Sequence, residues 1–344
     1  MFTLPTGCGD EGGPLDEEVV RAFGALVTPR ISYEIDPFLT DAYQSLSGDG
    51  YKIAHTAISW AEIAPAFSVR NWKEVDIHID QARRRGIELS LVVEFLHGAE
   101  VDLPGYLEDL GWAWDEPTLV RELSRFLREL KERTKGTIGY LWLGEGPDRY
   151  LERYPDDEGL LLSFYGVLAD SARRIFPDAE LGVVVSAAEV NRTGRADFIR
   201  ALRDTLGALA ISAYPEELLE ELPTAAEALV VLRQAIEPWK EGPFAVVEMG
   251  YPSFANGGSL DSEQSEFAGA VGDWLHDWPS TLAFFCWSPI HDAGAVLADS
   301  LAMRRYPDDA LSRERFSTIL STSSLRRLDG SRKPAREAFL EHRP

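Results

Sequence analysis

Two glutamates in this chain stand where carboxylates do chemistry. Glu145 closes the segment Ile138-Gly-Tyr-Leu-Trp-Leu-Gly-Glu145, and Glu248 closes Phe244-Ala-Val-Val-Glu248. Each ends an apolar, strand-like run, and a glycine and a proline follow each: Gly146-Pro147 after the first, Gly250 and Pro252 after the second. A carboxylate at the end of a buried strand is costly to desolvate unless it is paired or used. Two in matched contexts are what hydrolysis of a glycosidic bond needs. One carboxylic acid protonates the leaving oxygen, and a second carboxylate on the other side of the sugar carbon acts as nucleophile or base. For either glutamate alone, a structural acid that caps a helix or pairs with an arginine is the alternative.

The elements that must position these two residues follow from the hydrophobic pattern. Strand-like runs are expected at Leu26–Ile35, Ile53–Ser59, Ile87–Leu96, Ile138–Glu145, Leu181–Ala187, Ala208–Tyr214, Phe244–Met249 and Leu282–Trp287. They are rich in Val, Ile, Leu and aromatics with little polar alternation, as in strands buried on both faces of a parallel sheet. Helical stripes lie between them: Trp72, Val75, Ile79 and Ala82; Leu119, Leu123, Phe126, Leu127 and Leu130; Leu161, Phe164, Tyr165, Leu168, Ala172 and Ile175; Phe267, Val271, Trp274 and Leu275. Eight strands alternating with helices predict an α/β fold, a single (β/α)8 TIM barrel over residues 1–344 with residues 1–25 as an N-terminal extension. An open doubly wound sheet is the rival.

In a barrel of this kind the active site is built at the C-terminal ends of the strands. The residues there are Tyr33 and Glu34, Trp60 and Glu62, His97, Glu145, Tyr214, Glu248 and Trp287. Trp60, Trp287 and Tyr214 offer apolar faces to sugar rings; Glu34 either bonds sugar hydroxyls or is a structural acid, and His97 is either a sugar ligand or a hydrogen-bonded loop histidine. Glu62 reads as a structural acid, His55 as a satisfied core residue, Asp148-Arg149 as a solvated loop pair, and His291-Asp292 as either cleft lining or loop polarity. No basic cluster stands ready for phosphate.

Composition narrows the partners. The 344 residues carry a net charge of -23, a surface that repels phosphate backbones and anionic lipid, so nucleic acid and membrane are poor partners and a neutral ligand suits it. The two cysteines, Cys8 and Cys286, make no disulfide framework and no metal spacing. Gly7-Cys-Gly9-Asp-Glu-Gly12 spells a dinucleotide fingerprint but lacks the preceding strand that the mechanism requires. No cofactor or metal is expected. The N-terminus shows no charged start followed by an apolar stretch, so a cytoplasmic location is the expectation.

Taken in order, the motifs resemble those of the clan A glycoside hydrolases, the retaining (β/α)8 glycosidases. Gly144-Glu145-Gly-Pro147 resembles the strand-four Asn-Glu-Pro motif, and Val247-Glu248-Met-Gly-Tyr-Pro252 the strand-seven Glu-x-Gly-Tyr/Trp-Pro motif. Ser212-Ala-Tyr214-Pro215 is similar to the strand-six motif, and Phe284-Phe-Cys-Trp287-Ser288 to strand eight. Trp60-Ala-Glu62-Ile-Ala-Pro65, Asn71-Trp72 and the closing Lys333-Pro334-Ala335 extend the likeness from Ile53 to the C-terminus.

The resemblance implies a retaining hydrolase of β-glycosides with a carbohydrate substrate. Glu145 would be the acid/base and Glu248 the nucleophile, with their carboxyl groups roughly 5 Å apart. It further implies that Tyr214 hydrogen-bonds Glu248, and that Trp287 floors the sugar site through a cis Trp287–Ser288 bond. Gly144 stands where the clan has an asparagine that contacts the sugar 2-hydroxyl. That substitution predicts a gap in the cleft beside Glu145, with His97 the first candidate to fill it. The arginine that many members carry on strand two is missing from Ile53–Ser59, and Arg30 is its expected substitute. A non-catalytic carbohydrate-binding barrel, and a barrel that uses the two acids for non-hydrolytic acid/base chemistry, are the other readings.

Overall fold

Eight parallel strands close on themselves. They are β1 (Ala22–Leu26), β2 (Ile53–Ser59), β3 (Glu88–His97), β4 (Ile138–Glu145), β5 (Glu180–Ser186), β6 (Ala208–Ser212), β7 (Phe244–Glu248) and β8 (Leu282–Trp287). Each pairs with the next, and β8 pairs with β1, so the sheet is a closed barrel. The computed structural model describes residues 22–27, 36–215, 223–255, 258–278, 280–306 and 309–342. Glu34, Tyr33 and Arg30 lie outside the described residues.

The first strand begins earlier than the apolar run Leu26–Ile35 implies, so residues 22–25 belong to the barrel and not to an extension. The physical reason is the close fit of β1 between its neighbours. A Cβ on Gly24 would fall 2.6 Å from the Ile53 carbonyl and 2.7 Å from Cys286 Sγ, so only a glycine-containing segment fits there. Pro29, inside the expected run, has no N–H to give to a ladder.

Helices cover the outside: α1 (Asp36–Gly48), α2 (Lys73–Arg85), α3 (Pro117–Thr134), α4 (Glu158–Ile175), α5 (Ala196–Leu206), α6 (Ala225–Ile236) and α7 (Asp261–His276). After β8 the chain forms α8 (Ala295–Arg305) and α9 (Ala310–Thr322) before the closing helix α10 (Pro334–His342). The stripes read from the sequence face inward. Leu119, Leu123, Phe126, Leu127 and Leu130 of α3 are all buried, as are Leu161, Phe164, Tyr165, Leu168 and Ala172 of α4.

The strands are buried on both faces, and alternation divides them. One set, including Leu91, Val93, Leu141, Leu143, Phe285 and Trp287, packs under the helices. The other, including Ile53, Val92, Trp142, Val184, Phe284 and Cys286, fills the barrel interior. His55 belongs to the interior, where its Nδ1 lies 2.9 Å from Ser90 Oγ, and Trp142 Nε1 donates to that same oxygen at 2.7 Å. Burial, against the pull of Glu248, pushes the His55 imidazole down to about 4, so it is neutral at physiological pH.

Candidate active site

The local fold of β4 aims the first glutamate. The ladder slips between Val93↔Leu143 and His97↔Glu145 on one side, and between Trp142↔Gly182 and Glu145↔Val184 on the other. Gly144 sits in this irregularity at φ +81°, a left-handed conformation that glycine adopts without steric penalty. A bulge of this kind re-aims the following side chain. A Cβ on Gly144 would point at Tyr165 Oη (3.0 Å), Leu96 Cβ (3.4 Å) and Phe95 Cζ (3.5 Å), toward the helical layer. The expected gap in the cleft beside Glu145 is therefore not what the glycine creates. Its space lies behind the strand, where the Tyr165 hydroxyl donates to the Leu143 carbonyl.

His97 is beside Glu145, as the sequence reading placed it. Its Nδ1 lies 3.6 Å from Glu145 Oε2 and 3.2 Å from Glu94 Oε1. Glu94 is the residue that the sequence reading missed. It faces inward from β3, two positions on from Val92, and is 6% exposed. Glu94, His97 and Glu145 bring one ligand atom each within 4.8 Å of one another. Such a set has the donor types to hold a divalent cation.

Glu248 ends β7 where the ladder to β6 also slips, so that Ser212 stands opposite it. Ser212 Oγ donates to Glu248 Oε2 at 3.0 Å. The Tyr214 hydroxyl, fully buried, donates to Ser288 Oγ at 2.7 Å. The serine thus occupies the supporting place at Glu248 that the resemblance gives to the tyrosine. The two glutamates line one cavity at the C-terminal mouth of the barrel, together with His97, Glu94, Glu62, Ser59 and Asn71. A second, narrow cleft beside Glu145 and His97 is bordered by Arg149, Ser186 and Glu189.

The two tryptophans expected as sugar platforms are elsewhere. Trp60 opens the short helix Trp60–Ile63 and is fully buried against Phe126 of α3, at 6.1 Å between ring centroids. Trp287 follows the outward parity of Phe285, not the inward parity of Phe284 and Cys286. It is fully buried between Phe267 of α7 and Phe339 of α10, and its Nε1 donates to the Ser323 carbonyl at 2.8 Å. The Trp287–Ser288 bond is trans; the cis peptide lies one residue on, at Ser288–Pro289. His291 and Asp292 do not line the cavity. Both are buried, Asp292 against the Lys333 ammonium at 2.6 Å.

Asp148 also departs from the sequence reading. It is fully buried in the short helix Pro147–Arg153 that follows Glu145. Burial, only partly offset by backbone hydrogen bonds and Arg149, pushes its carboxyl up to about 7. An unfolded aspartate ionises near 3.8, so the folded state keeps the proton longer, and stability falls as pH rises from about 4 to 7. Asp148→Asn is expected to remove that part of the slope. Thermal midpoints measured from pH 4 to 8 would show the variant gaining on the parent as pH rises; parallel curves would refute a raised Asp148.

The sequence matches no protein-family model and no curated protein. The fold matches solved structures over nearly the whole chain. Against an exo-β-1,4-mannosidase, Op5Man5 from Opitutaceae bacterium strain TAV5, the TM-score is 0.72 at 14% identity, with 93% of this chain and 58% of that chain covered. This chain therefore spans little more than half of that protein. Xylanase 10B from Thermotoga maritima gives a TM-score of 0.65 at 12% identity, with 94% of each chain covered. A GH5_18 protein from Streptomyces cattleya, in complex with Manβ1-4GlcNAc, gives 0.60 at 16% identity, with 91% of this chain and 80% of that chain covered. At these identities the likeness is one of fold.

Proposed function

We propose that the protein is a glycoside hydrolase that cleaves a β-glycosidic bond with retention, using Glu145 as acid/base and Glu248 as nucleophile. The observation that carries this reading is the placement of both glutamates at the C-terminal ends of β4 and β7, in one cavity. The structural likeness to a mannosidase and a xylanase supports it, as do the matching motifs at Glu145 and Glu248.

In the first step the Glu248 carboxylate attacks the anomeric carbon while the Glu145 carboxylic acid gives its proton to the departing glycosidic oxygen. The bond from anomeric carbon to leaving oxygen breaks as the glycosyl ester forms. In the second step the Glu145 carboxylate takes a proton from water, whose oxygen attacks the same carbon and releases Glu248. The Ser212 hydroxyl on Glu248 Oε2 fixes the carboxylate's orientation for in-line attack. His97, held between Glu94 and Glu145, is placed to bond a sugar hydroxyl beside the acid/base.

A panel of aryl β-mannosides, β-xylosides and β-glucosides tests the activity, and proton NMR of the first-formed sugar tests the stereochemistry. The expected first product is the β-anomer, which mutarotates afterwards. An α-anomer formed first would replace the nucleophile with a base, and a dead panel would remove the hydrolase reading.

A further inference from the structure

The cavity that holds Glu145 and Glu248 has two chemically different walls. One is polar, with Glu62, Asn71, Glu94 and His97. The other is apolar: Leu26 and Val27 from the end of β1, and Leu297, Leu301, Phe316 and Leu320 from α8 and α9. These two helices are a hairpin inserted between β8 and the closing helix. Their mutual packing through Ala298, Ala302 and Ile319, with Tyr214 and Ala293 beneath, fixes the wall in place.

An apolar wall of this kind is a poor surface for sugar hydroxyls. It gives them no hydrogen bond in exchange for lost water, and its Phe316 ring is only 5% exposed and packs edge-to-face with Tyr214 and Tyr306 instead of lying open to stack on a pyranose. Trp60 and Trp287, the residues that would have supplied such faces, are buried in the outer core. The same wall suits hydrocarbon. The charges nearby restrict it further: Glu62, Glu74, Glu94, Glu145 and Glu248 border the cavity against Lys73 and His97, so an anionic group is disfavoured there.

Resting on the glycosidase reading, we propose that the leaving group this site is built for is a neutral aliphatic aglycone, so that the substrate is an alkyl-type β-glycoside and not an oligosaccharide. The sugar sits on the polar side with its anomeric carbon between the glutamates, and the aglycone lies along the α8–α9 hairpin.

The test compares methyl, butyl and octyl β-glycosides of whichever sugar the aryl panel selects, each below its micelle concentration. Alkyl alcohols differ little as leaving groups, so chain length reports contact. Each fully buried methylene is worth roughly fourfold, so burying about three or four of the added methylenes against the wall should raise kcat/KM on the order of 100-fold from methyl to octyl. Leu301→Gln, at a half-buried position, should cut the octyl-to-methyl ratio about tenfold or more. Should that variant fail to fold, calorimetric binding of the same series to Glu248→Gln gives the second measurement, with octyl expected to bind tightest. Equal kcat/KM for methyl and octyl, with active aryl substrates, overturns the aglycone inference and leaves the hydrolase. Preference for a disaccharide of the same sugar over the octyl glycoside also overturns it. No turnover of any aryl glycoside overturns the hydrolase reading, and this inference with it.

Discussion

Glu248→Gln is expected to lower turnover of every glycoside by at least about four orders of magnitude, with little change in fold. Removing a nucleophile forecloses the covalent path, and such losses are far larger than those from removing a binding contact. The amide is isosteric and keeps an oxygen to accept from Ser212, so the thermal midpoint should barely move. Glu145→Gln should lose roughly 10²–10⁴-fold, and least with aryl leaving groups that need no protonation. Added azide separates the roles. In Glu145→Ala it replaces the activated water of the second step and gives a glycosyl azide of retained configuration. In Glu248→Ala it attacks from the vacated face and gives the inverted azide. Equal small losses in both variants, with no azide product, would point away from double displacement.

The barrel was legible because its cause is local. Continuous apolar strand runs and 3.6-residue stripes are written in the sequence, and seven of the eight strands lie where those runs are. The first strand was not, because its placement depends on a tight fit of Gly24 against Ile53 and Cys286, which is a tertiary fact. Both glutamates were legible for the same local reason: each terminates a run. His97 beside Glu145 followed from strand order.

What misled was parity. When a strand is buried on both faces its sequence does not say which residues point inward, since inward and outward positions are equally apolar. Trp287 and Trp60 are large aromatics at strand ends, as a sugar platform would be, yet both face the helices. Phe284 and Cys286 face the interior, and that assignment alone sends Trp287 outward. Glu94 shows the converse. It is a lone acid inside Leu91-Val-Val-Glu94-Phe-Leu96, and an acid buried in such a run must be paired or hydrogen-bonded. The irregularities in β4 and β7 that swing Glu145 and Glu248 into the cavity appear only once the ladders are paired.

Asp49→Asn is expected to destabilise the protein by about 3–5 kcal/mol, the typical loss when one partner of a buried ion pair is removed. Asp49 follows α1 and is 4% exposed. Arg326 Nη2 bonds both of its carboxylate oxygens at 2.9 Å, and Arg336 Nε donates to Oδ2 at 2.9 Å with its Nη2 on Oδ1. One carboxylate thus holds two guanidinium groups of the closing segment, 277 and 287 residues away, against the first helix of the barrel. Its removal leaves two buried cations facing each other. Burial alone would raise the Asp49 carboxyl, but the hydrogen bonds and charges of Arg336 and Arg326 outweigh it and hold it below its ordinary value of 3.8. The folded value being depressed, this contribution is fully present above pH 3.8 and is lost as pH falls through the lower, folded value. Acid denaturation should therefore begin at higher pH in Asp49→Asn than in the parent. Asp76→Asn is the control, because its partner Arg133 is paired at 2.7 Å on the surface, where such pairs contribute under about 1 kcal/mol. Denaturant midpoints that fall equally in the two variants would show that the Asp49 cluster is no more than a surface pair in its energetic effect.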